Sequence, residues 1–395
     1  MSATTPPFGP RTRAIHAGSR RSQYAEMAEA LFMTQGFRYA SAEEAEARFQ
    51  QSGPDEFIYA RYGNPTSRVF EDRMAALEGT EDAFATASGM AAVHGALFSF
   101  IRPGDRVVAA RALFGSCLYV LDLLAAFGVD VDYVDGSDLD DWRAALSRPA
   151  KAVFFETMAN PTLGIVDIAG VAALAREAGA ITVVDNVFST PVFSRAVELG
   201  ADVVVYSATK HIDGTGRAMG GLILGSRDFV RNTAEPFLKH TGGAISPFNA
   251  WLMLGGLTTM DLRVRAMATT AQALAEALAR RPGLRVIYPG LASHAQHDLV
   301  QRLQQAHPVH HARAQDVKAR MRRIHHGLYG LLRHARVVLQ LYGADLAPRA
   351  AGIAVAHRAH EAAHGPDAGI IGPQSSDFLA QVEIPVLNAN PRRNI

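Results

Sequence analysis

The segment Asp202-Val203-Val204-Val205-Tyr206-Ser207-Ala208-Thr209-Lys210-His211 is the part of the chain that most strongly indicates its fold. It begins as a continuous apolar run with β-branched valines, which predicts a strand buried on both faces of a sheet. It ends in two hydroxyl residues and Lys210, just before a glycine-rich segment at 214–221. Because open α/β sheets bind ligands where their strands end, we expect Lys210 to lie in a crevice, partly desolvated. The alternative is an ordinary surface lysine after a strand.

Similar apolar runs occur on both sides of this segment and predict further strands, at Arg106–Ala110, Ala152–Glu156, Ile181–Asp185 and Gly221–Gly225. Helical patterns lie between several of them. The helix predicted for 167–178, for example, begins at an acidic N-cap residue and ends at a glycine. Strands that alternate with helices predict an α/β fold, with a mostly parallel sheet covered by helices.

The segments outside this alternating pattern have other features. Ser41 and Glu44 form a capping box that predicts a short helix ending near Phe49, within an otherwise irregular N-terminal stretch. Beyond the sheet, the pattern predicts two helices, Phe248–Thr259 and Arg263–Arg280. We therefore predict an extended N-terminal segment at 1–62, a large domain at 63–255 and a smaller C-terminal domain at 256–395.

Composition excludes several classes of protein. The 395 residues are 48% hydrophobic and 19% charged, and the formal net charge is +1, so nothing suggests nucleic acid or an anionic membrane as a partner. Cys117 is the one cysteine, which excludes an intrachain disulfide and is typical of the reducing cytoplasm. Because the sequence has neither an apolar signal-peptide core nor a run long enough to span a bilayer, we expect a cytoplasmic protein.

The residues near the predicted strand ends suggest pyridoxal 5'-phosphate (PLP) as cofactor. A PLP site needs a Schiff-base lysine, an acid for the pyridine nitrogen, a phosphate cup and a partner that stacks on the ring. Candidates follow in that order: Lys210; Asp185; Ser88, Gly89 and Met90 at a helix start, with Ser207 and Thr209; and Phe114. Asn160, just after a strand, is a candidate to bond the phenolic oxygen of the cofactor.

Each of these residues also has an explanation unrelated to a cofactor. Asp185 and Ser88 are at positions where helix caps occur, Phe114 is a candidate core residue, and an Asn before Pro is common in turns. Their order along the chain favours the cofactor site. The paired histidines at 310–311 and 325–326 suggest a metal, but their neighbours are rich in arginine and poor in acids. We therefore predict no metal site.

The chain also resembles a known family, the PLP enzymes of cysteine and methionine metabolism (fold type I). Within this family it is most similar to the O-succinylhomoserine sulfhydrylases. The resemblance extends over about residues 11–302, and it is carried by seven stretches: Arg13-Ala14-Ile15-His16-Ala17-Gly18, Tyr59-Ala60-Arg61-Tyr62-Gly63-Asn64-Pro65-Thr66, Ala87-Ser88-Gly89-Met90-Ala91-Ala92, Val184-Asp185-Asn186, Ser207-Ala208-Thr209-Lys210-His211-Ile212-Asp213-Gly214, Ser246-Pro247-Phe248-Asn249-Ala250-Trp251 and Tyr288-Pro289-Gly290-Leu291.

This resemblance implies the roles of individual residues. Lys210 would carry the cofactor as a Schiff base, and Asp185 would pair with the pyridine nitrogen. The phosphate would be held by Gly89, Met90, Ser207 and Thr209. Tyr59 and Arg61 would reach across an interface to the phosphate of a neighbouring subunit, so the N-terminal segment would contact that subunit. The implied assembly is a homodimer or homotetramer with shared active sites.

The implied activity is γ-replacement, which makes homocysteine from O-succinylhomoserine and sulfide in methionine biosynthesis. Phe114 stands where most of the family has Tyr, as in the sulfhydrylases, and the loss of that hydroxyl favours replacement over elimination. Thr215 also departs from the family, which usually has Gln or His at this position. A cystathionine γ-synthase or γ-lyase is the alternative within the family, and the choice of acyl-homoserine remains open.

The last 93 residues have a different composition. From 303 onward the chain has 9 of its 15 histidines and 11 Lys and Arg against 6 Asp and Glu. The family carries there an arginine that binds the α-carboxylate of the substrate, in a segment like Arg-Leu-Ser-Val-Gly, which is absent from this sequence after 302. Our hypothesis is a frame-shifted or replaced C-terminal domain, and genuine divergence is the alternative. A catalytically impaired PLP-binding protein is therefore a second functional prediction.

Overall fold

A seven-stranded mixed sheet is the centre of the fold. The computed structural model describes residues 9–53, 55–306 and 338–340. The strands are β1 (Asp82–Thr86), β2 (Arg106–Ala110), β3 (Asp130–Val134), β4 (Ala152–Glu156), β5 (Ile181–Asp185), β6 (Val203–Ser207) and β7 (Gly221–Gly225). Their order across the sheet is β1-β7-β6-β5-β4-β2-β3. β7 is antiparallel to both of its neighbours, and the other neighbouring strands are parallel to one another.

Helices cover this sheet and connect its strands. In chain order they are α1 (Pro10–His16), α2 (Ala42–Gln50), α3 (Pro65–Glu78), α4 (Gly89–Phe98), α5 (Gly115–Ala126), α6 (Leu139–Ala145), α7 (Ile168–Glu177), α8 (Thr190–Phe193), α9 (Glu235–Thr241), α10 (Pro247–Ala279) and α11 (His297–Ala306). A 3-10 turn lies at Ala196–Leu199, and a π-helical segment at Phe229–Ala234 precedes α9. Side-chain caps define several helix starts: Ser41, Asn64, Ser88, Asp138 and Asp167 each accept a hydrogen bond from a first-turn amide.

Burial explains why the central strands are nearly uniform in apolar character. Every residue of β4 and β7 is buried, as are the first four residues of β6. Parallel strands with helices on both faces have no solvent side, so they lack the alternation of polar and apolar residues. The predicted α/β fold with a mostly parallel sheet is confirmed, although β6 begins at Val203 rather than at the predicted Asp202.

The C-terminal part of the described chain differs from the prediction in one respect. Instead of two helices at 248–259 and 263–280, a single helix, α10, continues from Pro247 to Ala279. The residues at 260–262 (Met, Asp and Leu) include neither Gly nor Pro, so nothing interrupts the helical hydrogen bonds there.

Backbone contacts divide the chain into two compact units. Of the described residues, one unit contains 9–53, 55–266 and 298–306, and the other contains 267–297 and 338–340. The sheet belongs to the first unit. In the second, β8 (Arg285–Ile287) pairs antiparallel with β9 (Val338–Gln340). The predicted domain boundaries, at 62 and 255, remain predictions.

Two sequence predictions concern residues outside the described ranges: the histidine pairs at 310–311 and 325–326, and the replaced C-terminal domain, of which only α11 up to Ala306 and β9 are described. Within the described residues, no helix is both long enough and apolar enough to cross a membrane.

Candidate active site

The carboxyl ends of β2, β4, β5 and β6 lie along one edge of the sheet because these strands are parallel. β5 ends at Asp185, β4 ends at Glu156 and β6 ends at Ser207, three residues before Lys210. The antiparallel β7 starts at the same edge, where Gly221 is in register with both Ser207 and Thr86. The topology therefore gathers the chemically active side chains at one place, as is typical of ligand sites in open α/β sheets.

Lys210 lies in a turn that follows β6. The amide of Lys210 donates to the carbonyl of Ser207 (3.2 Å), and the Lys210 carbonyl accepts from the amide of Gly214 (2.8 Å). Lys210 is exposed in this structure, because the strand ends at Ser207 and the turn carries Lys210 beyond the buried edge. The partial desolvation expected from its position after a buried strand stays a prediction for the protein with its ligand. The side chain is free to approach a ligand at this edge.

A narrow cup forms where the first turn of α4 meets the end of β6. A Cβ atom at Gly89 would lie 2.5 Å from Cβ of Ser207 and 2.7 Å from its Oγ. A Cβ at Gly221 would collide with the carbonyl oxygen of Ser88. Only glycine fits at these two positions, because the backbone of α4 and the two strand ends approach so closely. The cup therefore brings together free helix amides and a hydroxyl, which is a favourable arrangement for an anion.

Ser88 and Thr209 have structural partners beside this cup. Ser88 is the N-cap of α4, and its Oγ accepts from the amide of Ala91 (3.1 Å). The Thr209 hydroxyl donates to the carbonyl of Gly220 (3.2 Å) and accepts from the Gly220 amide at the same distance. Met90 is the second residue of α4, so its amide belongs to the first turn, which lacks intrahelical acceptors. The first turn of α4 therefore serves both functions: Ser88 caps it, and its remaining free amides can bind an anion.

Two acids stand side by side at the ends of β4 and β5. Glu156 and Asp185 are register partners, so their side chains project from the same face of the sheet. Burial raises the pKa of Asp185 to about 8, and the nearby charge of Glu156 acts in the same direction. Burial also raises the pKa of Glu156 to about 7. A cation beside these two carboxylates would relieve the repulsion between them.

Phe114 and Asn160 occupy the two loops that flank the acids. Phe114 directly precedes α5 and is 44% exposed, so its ring is accessible to a ligand and is not part of the core. Asn160 lies in the loop after β4 and is half-buried. The backbone amides of both residues donate to the carboxylate of Glu156, each at 2.7 Å. One buried side chain therefore holds both loops in place.

Tyr59 and Arg61 lie in the segment before α3. The Tyr59 ring is exposed, and the Arg61 guanidinium lies 5.3 Å from its centroid and 5.0 Å from that of Tyr62. Arg61 also donates to the carbonyl oxygen of Lys239. These contacts tie Arg61 to the end of α9 and to neighbouring tyrosines, rather than to Ser88 or Lys210 of its own chain.

Sequence reasoning missed two residues that shape the site. Glu156 was treated only as the last residue of a strand, although its carboxylate joins two loops. Arg263 of α10 donates to the carbonyl of His211 (2.9 Å) and packs where a side chain at Gly214 would be, so it supports the turn that carries Lys210. A Glu that ends an apolar run can be seen in the sequence and could have indicated Glu156. The contact of Arg263 depends on tertiary packing, so no sequence signal indicates it.

The residues at this edge match the needs of PLP. The glycine-lined cup suits a phosphate, and the paired acids suit a protonated ring nitrogen. Cys117 Sγ and one oxygen each from Glu156 and Asp185 also lie within 4.8 Å of one another, which raises the question of a metal ion. Burial, however, raises the pKa of the Cys117 thiol far above its usual range, and both carboxylate oxygens of Glu156 already accept backbone amides. The cofactor is the better match to this group.

Comparison with known proteins agrees with this chemistry. The family model described as "Cys/Met metabolism PLP-dependent enzyme" matches residues 11–312. An O-succinylhomoserine sulfhydrylase of Mycobacterium tuberculosis (strain CDC 1551 / Oshkosh) is 50% identical over 293 residues, which cover 74% of this chain and 72% of that protein. A Pseudomonas aeruginosa protein of the same name is 46% identical over 295 residues, covering 74% and 73%. An L-methionine gamma-lyase of Pseudomonas putida is 40% identical over 294 residues, covering 73% of each.

Solved structures show the same architecture. A cystathionine gamma synthase from Xanthomonas oryzae pv. oryzae superposes with a TM-score of 0.70 and 30% identity, covering 75% of each chain. A Campylobacter jejuni protein assigned as an O-acetylhomoserine (thiol)-lyase gives a TM-score of 0.69 at 28% identity, covering 75% of this chain and 82% of that one. The latter was solved with N'-pyridoxyl-lysine-5'-monophosphate, a lysine that carries the cofactor.

Proposed function

The chain belongs to the Cys/Met metabolism PLP-dependent enzyme family, and from this membership we propose that it makes homocysteine from O-succinylhomoserine and sulfide. The observation that carries the proposal is its 50% identity, over three quarters of its length, to an O-succinylhomoserine sulfhydrylase. Phe114 supports it from the residue side, because the ring at this position lacks the hydroxyl that would move protons in an elimination. The activity is a PLP-dependent transfer in methionine biosynthesis.

The residues of the chain would hold the cofactor as follows. Lys210 would attach to it covalently, and Asp185 would bond its ring nitrogen. The amides of Gly89 and Met90, with the hydroxyls of Ser207 and Thr209, would bind the phosphate. Phe114 would stack on one face of the ring, Asn160 would bond the phenolic oxygen, and Ser88 would cap the phosphate-binding helix. When bound, PLP supplies an electron sink for the negative charge that develops at the substrate α-carbon.

The protein's part in the reaction is mainly proton transfer. Lys210 Nζ would act as the general base that removes the proton from the substrate α-carbon, and it would then move a proton at the β-carbon. Succinate leaves from the γ-carbon, and hydrosulfide bonds to that carbon to give homocysteine. Asp185 would hold a proton on the ring nitrogen, and the positive charge of that ring would in turn favour the ionised form of this buried acid. Lys210 is exposed and lies on a turn, so its side chain is accessible to a substrate at this edge.

An assay of three reactions tests this proposal. The purified protein, loaded with PLP, is given O-succinylhomoserine with sulfide, with cysteine, or with no nucleophile. We expect homocysteine from the first to dominate over cystathionine and over release of a 2-keto acid. Lys210→Ala should abolish turnover and the visible absorbance of the lysine-bound cofactor, whereas Lys151→Ala, on the surface before β4, should leave both unchanged. Turnover by Lys210→Ala would refute the catalytic assignment.

Cystathionine γ-synthase and γ-lyase activities are the alternatives within the family. The similarity to the L-methionine gamma-lyase from P. putida and the cystathionine gamma synthase from X. oryzae supports them, at lower identity. Dominant cystathionine, or dominant 2-keto acid, in the same assay would establish either one. Replacing O-succinylhomoserine with O-acetylhomoserine at equal concentration identifies the preferred acyl group.

A catalytically impaired PLP-binding protein is the second candidate function. What favours it is the end of the family match at residue 312, well before the end of the chain at 395. In that case the protein would bind PLP at Lys210 and turn over neither O-succinylhomoserine nor its relatives. Translating the gene in its other frames past codon 302 tests the frame-shift hypothesis. A family-like C-terminal domain in another frame would support it, and its absence from both frames would eliminate it.

We further propose a homodimer or homotetramer with shared sites, located in the cytoplasm. Supporting shared sites, Tyr59 and Arg61 are on the surface-facing N-terminal segment, and the apolar side chains of Tyr24, Met27 and Met33 in that segment are exposed. Supporting the cytoplasm, the single cysteine is a buried free thiol. Light scattering of the purified protein gives the subunit number, and cell fractionation gives the location.

A further inference from the structure

Glu156 is buried beside the proposed cofactor site, and none of the roles proposed above involves its side chain. Its side chain is only 5% exposed, although it ends a strand at an edge that is open to ligands. Burying an ionisable carboxyl group is costly unless hydrogen bonds or a counter-charge offset the lost hydration. The hydrogen bonds of the Glu156 carboxylate offset this cost, and they also indicate what the residue does.

The two carboxylate oxygens of Glu156 are divided between two loops. Oε1 accepts from the amide of Phe114, and Oε2 accepts from the amide of Asn160, each at 2.7 Å. Phe114 directly precedes α5 and Asn160 follows β4, so no continuous element joins them. The proposed ring-stacking residue and the proposed phenolic-oxygen ligand are therefore held at a fixed separation by one side chain.

The same carboxylate lies beside the proposed partner of the ring nitrogen. Glu156 and Asp185 are in register, and each offers an oxygen within 4.8 Å of the other. Among the described residues, Cys117 and Tyr206 also interact with this pair, and burial raises the pKa of each. Neither of them is a cation, so a positively charged ligand would offset the repulsion between the two carboxylates.

We infer that Glu156 is a positioning residue of the cofactor site: it fixes the loops of Phe114 and Asn160 against the cofactor ring and places a second carboxylate beside Asp185. This inference rests on the cofactor site proposed above. It assigns a role toward PLP to a residue whose own hydrogen bonds go to the backbone amides of Phe114 and Asn160. The paired acids would favour a protonated ring nitrogen more strongly than Asp185 alone, because two negative charges attract the same proton.

The test compares Glu156→Gln with Glu71→Gln, a matched control. Glu71 is also a buried Glu that accepts a backbone amide, that of Ala85 at 2.9 Å, but its other partners are Arg68 and Arg231. Glutamine at 156 has one acceptor oxygen, so one of the two loop amides loses its partner, and the charge beside Asp185 is lost. Both variants lose one buried carboxylate, but only Glu156→Gln alters the loops of Phe114 and Asn160.

Three quantities are measured on the full chain after removal of the cofactor: the dissociation constant for added PLP, the visible circular dichroism of each bound PLP, and the urea unfolding midpoint without PLP. For Glu156→Gln we expect the dissociation constant to rise about tenfold or more, since a buried amide loses its acceptor. The dichroism should weaken, because the ring is held less firmly. Glu71→Gln should bind PLP within about twofold of the wild type, whatever its unfolding midpoint.

Glu156→Asp is the second variant, and it keeps the charge while shortening the reach by one methylene. We expect it to restore part of the PLP affinity and little of the dichroism, since charge and loop position are then separated. A dissociation constant and dichroism equal to those of the wild type in both Glu156 variants would overturn the inference, even if both variants unfold earlier. A wild-type protein that forms no lysine-bound cofactor would overturn the proposed function itself, and this inference with it.

Discussion

Tyr206 Oη donates a hydrogen bond of 2.5 Å to Oε2 of Glu78, and both side chains are fully buried beneath the edge of the sheet that carries the site. Tyr206 Oη also accepts from Asn186 Nδ2 (2.6 Å), and Asn186 Oδ1 accepts from the hydroxyl of Thr157 (2.9 Å). Asn186 directly follows Asp185, and Thr157 directly follows Glu156. A buried polar chain thus connects α3 to the backbone of both strand-end acids.

Glu78, the acid in this hydrogen-bonded network, predicts that the stability of the protein depends on pH. Burial raises the pKa of Glu78 from an ordinary value of 4.5 to about 7. Between these values the folded protein holds a proton that the unfolded chain has released, so stability falls as pH rises. We expect the loss to be complete near pH 7 and to reach about 3 kcal/mol at most. Glu78→Gln should show a shallower fall in the free energy of unfolding by urea between pH 5 and pH 7, and an unchanged slope would contradict this prediction.

Tyr206→Phe tests the hydrogen bonds rather than the charge. The variant keeps the buried ring but removes the donor to Oε2 of Glu78 and one of the two acceptors of Asn186 Nδ2, which keeps only the carbonyl of Ser194. We expect a loss of about 1–3 kcal/mol in the free energy of unfolding at pH 7. Tyr119→Phe is the control, because Tyr119 is 64% exposed and the same change there should cost less than about 0.5 kcal/mol. Equal effects of the two substitutions would show that the network contributes nothing.

Gly89→Ala tests the phosphate cup. The added methyl group would lie 2.5 Å from Cβ of Ser207, so α4 has to move away from β6. We expect the dissociation constant for PLP to rise by about tenfold or more, since the helix amides then lie farther from the phosphate. Gly255→Ala, in α10, is the control, because a Cβ there meets nothing within 4 Å and should stabilise the helix slightly. If the two variants bind PLP equally well, the cup is not where the phosphate binds.

The sequence predicted the centre of this fold well and its borders less well. β2, β4, β5 and β7 were predicted with the bounds observed, because strands buried on both faces form nearly continuous apolar runs. β3 (Asp130–Val134) was missed: it is an edge strand with two aspartates and little burial. β1 was missed because it starts at the buried Asp82, whose charge is balanced by Arg68 and Arg231 from elsewhere in the chain.

In the site, too, features that depend on contacts between distant parts of the chain could not be predicted from the sequence. The positions of Lys210 and Asp185 at the sheet edge could be predicted from the sequence, because Asp185 ends one apolar run and Lys210 follows another. The partnership of Glu156 with Asp185 could not be, since it depends on the register of β4 against β5. Nor could the exposure of Lys210 be predicted, since it depends on where β6 ends and on how the following turn is held by Arg263.

Phe114→Tyr tests how the choice between replacement and elimination is made. The Phe114 ring is 44% exposed, so a hydroxyl at its tip can be accommodated without disturbing the core. We expect PLP binding to be retained and the release of 2-keto acid, relative to homocysteine, to rise about tenfold, because the new hydroxyl can move protons. Phe127→Tyr, at an exposed residue after α5, is the control and should leave the ratio unchanged. A ratio that stays the same in Phe114→Tyr would remove this ring from the explanation of specificity.

Mixing two inactive variants tests whether subunits share their sites. Arg61→Ala keeps Lys210, and Lys210→Ala keeps Arg61; each homo-oligomer should be inactive if both residues are needed in every site. In a mixed dimer with shared sites, one site combines Lys210 from one subunit with Arg61 from the other and is intact. After unfolding and refolding an equal mixture, we expect about a quarter of the wild-type activity, as random pairing of symmetric dimers requires.

Two results would contradict that arrangement. Arg61 contacts Lys239 and Tyr62 of its own chain in the structure, so a role confined to one subunit is the alternative. Under that alternative every site in the mixture carries one defect or the other, and the refolded mixture stays inactive. Full activity of Arg61→Ala alone would instead remove Arg61 from the site. Refolding the wild type with Lys210→Ala serves as the control for yield, because about half of the wild-type activity is then expected for either arrangement.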